Sequence, residues 1–188
     1  MVLISLREII DALIMTGAVG YIFMDVFKPH VERPFSFKPQ FDWHVFFFSC
    51  LLAAPALIMH ELAHKFVAIA FGLQAVFHAA YVWLGIGIML KLMQVGFIFF
   101  VPGYVQISGG AASLQHSLIA FAGPFLNLVL FGIAWAVLKS KRHFTKKQYL
   151  FWYVTKQLNL FLFIFNMLPL PLFDGWKVYT GLWQFFFG

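Results

Sequence analysis

The sequence has few charged residues and almost no cysteine. Of its 188 residues 11% are charged, and Cys50 is the single cysteine. One cysteine excludes an intramolecular disulfide and a cysteine-based metal site. The net charge of +6 is not arranged as a basic stripe with interleaved polar residues, so we expect no nucleic-acid partner.

The sequence is unusually rich in apolar residues. The hydrophobic fraction is 62% and the mean hydropathy is +0.86, both far above the values of soluble domains. We therefore expect an all-α, multi-pass integral membrane protein of the cell membrane, in contact with the lipid bilayer. No repeat or linker indicates a second domain, so residues 1–188 are expected to form one domain, with its motifs within about 44–180.

Some segments are long enough to cross the membrane as helices, which takes about 20 apolar residues. There are four such candidates: 9–27, 44–72, 115–138 and 149–168. The first could pass for a signal peptide, but Asp11 and Asp25 interrupt it and no small-residue cleavage site follows. We expect it to be an uncleaved helix, followed by a proline-rich loop over 28–43.

The segment 73–114 is ambiguous. Residues 81–107 could span the membrane, but Lys91 lies near the middle, and the glycines and the aromatic and β-branched residues favour strands. We expect a membrane-associated β-hairpin or a re-entrant segment. The piece after Gly175 is too short to cross, and we expect it to lie at an interface or to pack against the bundle.

Polar residues cluster inside the second apolar span. His60 and His64 are four residues apart, so on a helix they share a face and can present two nitrogens to one metal ion. Glu61 completes an HExxH pattern, in which the histidines bind Zn²⁺ and the glutamate is the general base. The alternative is a set of polar groups that hold helices together. Because an ionised residue in the membrane costs about 2.5–3.5 kcal/mol, a functional role explains the cluster better.

A catalytic zinc site of this kind takes three protein ligands. Apart from Glu61, Asp174 is the one acidic residue outside the first helix and its following loop, and prolines break the helix just before it. Irregular backbone at membrane depth is tolerated where it lines a cavity, so Asp174 can turn toward the imidazoles. The alternatives are an Asp–Gly turn at the membrane surface and other ligands that lack a motif: His44, His78 and His116.

A further polar residue, Asn127, lies in the apolar stretch FAGPFLNLVLF. Gly123 and Pro124 permit a close approach or a local break, and Asn127 lies one turn after Gly123 on the same face. Its amide can serve an extended peptide or an oxyanion. A hydrogen bond to a neighbouring helix is equally compatible with the pattern.

Together these residues resemble the site-2 proteases, a family of intramembrane zinc metalloproteases. The three motifs occur in that family's order, and the match covers about residues 50–180: HELAH at 60–64, AGPFLN at 122–127 and NMLPLPLFDG at 166–175. The first motif is shared with many soluble zinc proteases, whereas all three within membrane helices are specific. Phe173 stands where the family commonly has leucine, and Trp176 follows the Asp–Gly pair; neither change removes a ligand.

The resemblance implies an integral membrane protease domain that acts as a zinc-dependent endopeptidase. It implies His60, His64 and Asp174 as zinc ligands, Glu61 as the catalytic base and Asn127 as a substrate-positioning residue. It also implies three transmembrane helices with one motif each and a strand-rich element between the first two. The expected partners are membrane-spanning protein or peptide substrates, whose helices must unwind before cleavage.

The orientation of the site in the membrane is open at this point. In the family the zinc lies nearer the cytosol, which places the basic loop 139–147 outside, whereas the positive-inside rule places it inside. Making 81–101 a crossing would satisfy the charge rule but would put Asp174 and His60 on opposite sides, so we prefer the re-entrant interpretation. Two other functions stay open: a membrane ion or proton relay, and a catalytically inactive homologue. The sequence indicates neither the oligomeric state nor the natural substrate.

Overall fold

The fold is a helical bundle with a small sheet inserted between two of its long helices. The computed structural model describes residues 3–26, 41–95, 101–140 and 143–188. In chain order its elements are α1 (Leu6–Phe23), a 3₁₀ turn (Met24–Val26), α2 (Trp43–Ala70), β1 (Gln74–Ala79), α3 (Tyr81–Leu92), β2 (Gly103–Ser108), α4 (Ser113–Lys139), α5 (Lys146–Asn166) and α6 (Asp174–Phe187). The predicted helical membrane architecture with a short β element is confirmed. The predicted loop over 28–43 lies almost wholly outside the described residues.

Three of the described helices are long and apolar enough to cross a membrane: Leu6–Val26, Trp43–Ala70 and Ser113–Lys139. They agree with three of the four predicted spans. The fourth predicted span, 149–168, does form a helix, α5, but that helix does not reach the same apolarity. The reason lies at its middle, where four polar residues interrupt the apolar run: Thr155, Lys156, Gln157 and Asn159.

Residues 81–92 form a helix, which corrects the expectation of strands there. Leu84 and Gly87 are its buried residues, and their spacing of three places them on one helical face, whereas a strand would bury alternate residues. Helix α3 has 12 residues and is about 18 Å long, too short to cross about 30 Å of hydrocarbon.

The two strands bring the ends of the α3 segment together. They pair antiparallel, with Ala79 opposite Gly103, and the Ala80 amide donates to the Pro102 carbonyl at 3.1 Å. The segment that contains α3 therefore leaves the sheet and returns to it at the same point. The re-entrant position of this segment in the membrane stays a prediction.

Two groups of buried side chains hold the sheet against the long helices. One contains Met15, Val19, Ala53, Phe77 and Leu84 and joins α1, α2, β1 and α3. The other joins α2, β1 and α4 and contains Ala68, Leu73, Ala75 and Ile119. Helix α2 contributes to both, so the histidine-bearing helix lies at the centre of the packing.

A buried ion pair joins α1 to α2 next to the histidines. The Lys65 ammonium donates to the Glu8 carboxylate, and both side chains are almost fully buried. The same carboxylate accepts the Phe77 amide of β1 at 2.8 Å. Because Lys65 directly follows His64, this contact limits how α2 can rotate against α1 and the sheet.

Helix α6 packs against α4. This agrees with the expectation that the C-terminal segment packs against the bundle. A β-carbon on Gly181 would lie 2.3 Å from Ser117 Oγ, so the helices approach closely there. The Ser117 hydroxyl donates to the Val178 carbonyl at 3.1 Å. This contact places the start of α6, Asp174, close to the middle of the bundle.

Candidate metal centre

The three predicted ligands come together at one point. His60 Nε2 and His64 Nε2 are 3.1 Å apart, and Asp174 Oδ2 lies 3.0 Å from the first and 3.1 Å from the second. Among the described residues this is the one group of three histidine, cysteine or acidic side chains arranged to hold a metal ion. The other ligand candidates, His44, His78 and His116, do not belong to it.

Helix α2 supplies the two imidazoles, and α4 makes room for them. The rings are buried and meet edge to face, with centroids 4.7 Å apart. A β-carbon on Gly123 would lie 2.4 Å from His64 Nε2 and 2.7 Å from His60 Nε2. The glycine of the AGPFLN motif therefore permits the contact between α4 and the two rings.

The outer nitrogen of each ring has an acceptor on α4. His64 Nδ1 lies 2.7 Å from the Ile119 carbonyl oxygen, and His60 Nδ1 lies 2.5 Å from Asn127 Oδ1. An oxygen acceptor at Nδ1 selects the tautomer that carries its proton there, which leaves the Nε2 lone pair free. Both free lone pairs then face Asp174 Oδ2.

Asp174 reaches the rings because the backbone is irregular just before it. Residues 167–173 form turns, in which the Phe173 amide donates to the Leu170 carbonyl at 2.9 Å, and Asp174 is the first residue of α6. A β-carbon on Gly175 would lie 2.6 Å from the Met167 carbonyl oxygen. The prolines and the glycine of the third motif thus shape the turn that presents the carboxylate.

The Asp174 carboxylate is strongly stabilised in its ionised form. Burial alone would raise its pKa, but when a proton on the rings takes the place of a metal ion, the positive charge on His64 and hydrogen bonds from both rings outweigh burial and hold the pKa of Asp174 well below its usual range. Lys177 Nζ lies 3.9 Å from Asp174 Oδ1, the carboxylate oxygen other than the one that contacts the rings. An ionised carboxylate between two imidazoles requires positive charge at this point, either a proton or a metal ion.

A cavity of about 290 Å³ adjoins the three ligands. Glu61 is part of its wall, next to both histidines, so a carboxylate is available beside the ligands. Residues from β2, α4, α5 and α6 complete the wall, among them Tyr104, His116, Asn166 and Lys177. His116, considered above as a ligand, lies on this wall instead of in the metal-binding group.

Asn127 lies behind His60 and is fully buried, with 0% of its surface exposed. Its amide nitrogen donates to the Ala56 carbonyl of α2 at 3.3 Å and to Asn159 Oδ1 of α5 at 2.8 Å. Asn127 therefore bonds neighbouring helices as well as the His60 ring. Its predicted contact with substrate stays a prediction.

Asn159 is a site residue that sequence reasoning missed. It lies in α5, outside all three motifs. The available signal was a polar amide in a predicted membrane span, which often marks a contact between helices. That signal does not name the partner, because the partner comes from another helix.

The chain is similar in sequence to a known archaeal protein. No family model and no solved structure matches the chain. The chain is 35% identical over 177 residues to a protein of Methanocaldococcus jannaschii named "Putative zinc metalloprotease", and the match covers 93% of this chain and 84% of that protein. The match therefore extends over nearly the whole of this chain. The chain therefore belongs to the same family of zinc metalloproteases as this archaeal protein.

Proposed function

We propose that the protein is a zinc-dependent endopeptidase of the site-2 protease type, which hydrolyses peptide bonds of membrane-spanning substrates. The observation that carries the proposal is the meeting of three electron-pair donors, two Nε2 atoms and Oδ2 of Asp174, within 3.1 Å of one another. Three such donors need positive charge between them, and a metal ion supplies it without a proton on either Nε2 atom. Membership of a zinc metalloprotease family supports the metal and the reaction class.

The donor set fits zinc. Tetrahedral coordination with zinc bonds of about 2.0–2.2 Å corresponds to ligand atoms about 3.3–3.6 Å apart, so the 3.0–3.1 Å found here requires only a slight opening of the ligand set. Two imidazoles and one carboxylate also suit zinc better than calcium or magnesium, which take oxygen ligands. Three protein ligands leave a position for water, as in catalytic sites and unlike closed structural ones.

The chain's own groups have separate tasks in the reaction. Zinc, when bound, would lower the pKa of water and polarise the peptide carbonyl. Glu61, on the cavity wall beside the ligands, accepts a proton from the attacking water and passes it to the leaving amine. Asn127 and the Ile119 carbonyl hold the two rings in place from behind.

The cavity also suggests how a membrane-spanning substrate would be presented. A helical substrate must unwind first, because its carbonyl groups are hydrogen-bonded within the helix. In the described part of the chain, β2 pairs with β1 alone, and residues of β2 line the cavity. The other edge of β2 can therefore pair with an extended substrate segment next to the metal ligands.

Metal analysis together with a cleavage assay tests this proposal. Purified wild-type protein should contain about one zinc per chain, because the site has three donors, and His64→Ala should contain little. Wild-type protein in detergent or vesicles should cleave a transmembrane reporter, and a chelator should stop the cleavage. Wild-type protein without bound zinc would favour the ion-relay alternative, and zinc-loaded protein that cleaves no reporter would favour the inactive homologue.

A further inference from the structure

A chain of two buried side-chain amides connects the His60 ring to α5. Asn127 Oδ1 lies 2.5 Å from His60 Nδ1, and Asn127 Nδ2 donates to Asn159 Oδ1 at 2.8 Å. Asn159 Nδ2 in turn donates to the Thr155 carbonyl of its own helix at 2.8 Å. Asn127 is 0% exposed and Asn159 is 1% exposed, so water does not compete for these bonds.

The Thr155 carbonyl, at the end of this series of hydrogen bonds, determines which group donates and which accepts in each of them. The Thr155 carbonyl can only accept, so the NH₂ group of Asn159 must face it and Oδ1 must face Asn127. That oxygen and the Ala56 carbonyl can also only accept, so Asn127 directs its NH₂ group toward them. Its remaining atom, Oδ1, faces His60, and His60 must therefore donate from Nδ1.

We infer that Asn159 is a positioning residue of the metal centre, which acts through Asn127 to keep His60 in the tautomer that can bind a cation. This inference rests on the proposed function and deepens it. Without Asn159, the Asn127 amide loses one of the two acceptors that orient it and can turn its NH₂ group toward His60. The ring would then carry its proton on Nε2, where it blocks the metal.

His64 provides an internal contrast. Its Nδ1 donates to a backbone carbonyl, that of Ile119, which belongs to the α4 helix and cannot turn. The acceptor at Nδ1 of His64 thus does not depend on the orientation of a side chain, whereas the acceptor at Nδ1 of His60 depends on two side-chain amides. Substitutions in the amide chain should therefore weaken metal binding by way of one ligand only.

The first experiment measures zinc affinity in the full-length protein by competition with a chelator. Asn159→Leu, which keeps the approximate volume and removes the acceptor, should weaken zinc binding by about 10–100-fold, as loss of an outer-shell partner does elsewhere. Gln157→Leu is the matched control, since it makes the same kind of change on an exposed position of the same helix. It should bind zinc like the wild type.

A double-mutant cycle separates positioning from packing. The carboxylate introduced by Asn127→Asp has acceptors only, so it needs no partner to orient it toward His60. In that background Asn159→Leu should change zinc affinity by less than about twofold. An equal loss in both backgrounds, wild-type affinity of Asn159→Leu, or failure to fold in both backgrounds would overturn the inference. Wild-type protein that binds no zinc would contradict the proposed function instead.

Discussion

Gly123 and His64 are in contact at a distance that leaves no room for a side chain on residue 123. A β-carbon there would lie 2.4 Å from His64 Nε2, whereas favourable carbon contacts are about 3.5–4.0 Å. The contact brings α4 close enough for its Ile119 carbonyl and Asn127 amide to hold the two rings. The glycine is therefore a requirement of the metal centre and not of the helix.

Gly123→Ala should impair metal binding without unfolding the protein. The added methyl group would push the rings away from Asp174, so we expect zinc affinity to fall at least about tenfold while helix content is kept. Gly132→Ala on the same helix is the control, because nothing lies within 4 Å of its added carbon. Wild-type zinc affinity in Gly123→Ala would show that α4 can retreat without disturbing the ligands.

Glu61→Gln should separate zinc binding from catalysis. The amide has the size of the carboxylate but cannot take a proton, so cleavage of a transmembrane reporter should fall by about 10²–10⁴-fold. Zinc content should equal that of the wild type, because Glu61 is not in the metal-binding group. Persistent proteolysis by this variant would remove Glu61 from its proposed role.

Removal of the metal should lower thermal stability. A ligand that binds only the folded state stabilises it by about 2.7 kcal/mol at a free concentration 100 times its Kd. The site joins α2 to α6 through residues more than 100 positions apart, so unfolding must break it. A chelator should therefore lower the Tm of the wild type and leave that of His64→Ala unchanged. Equal Tm shifts in both proteins would trace the effect to something other than this site.

Lys65→Met should be strongly destabilising, since it leaves the buried Glu8 carboxylate without its cation. Loss of one partner of a buried pair costs about 3–5 kcal/mol. Adding Glu8→Gln should restore part of the stability, because the amide oxygen can still accept the Phe77 amide. Lys146→Met, at an exposed position, is the control. The Tm is measured by thermal unfolding for the wild type, the two single variants and the double variant. A Tm of Lys65→Met equal to that of Lys146→Met would contradict the prediction.

The parts of the fold that could be predicted from sequence are those governed by local pattern. The spacing of His60 and His64 places both on one face of a helix whatever surrounds it. Asp174 could be selected because so few acidic residues are available and because prolines precede it. Long apolar runs likewise predicted α1, α2 and α4.

The rest depends on contacts between distant segments. Residues 81–92 form a helix that buries Leu84, which the β-branched and aromatic content did not predict. The hydrogen bond between Asn127 and Asn159 joins two helices 32 positions apart in sequence, and no local pattern encodes it. The same holds for the ion pair of Glu8 and Lys65, two residues that sequence analysis left without a role.

The pairing of Ala79 with Gly103 has a consequence for how this protein can change length. The segment between these two residues begins and ends at the same point of the sheet. The position at which the chain continues through β2 toward α4 therefore does not depend on the length of this segment. Insertions or deletions after Leu92 should therefore leave the alignment of α2 with α4 intact, and a reporter tag placed there should be tolerated. By the same logic, evolution could change the length of the chain just after Leu92 while His60, His64 and Asp174 keep their places.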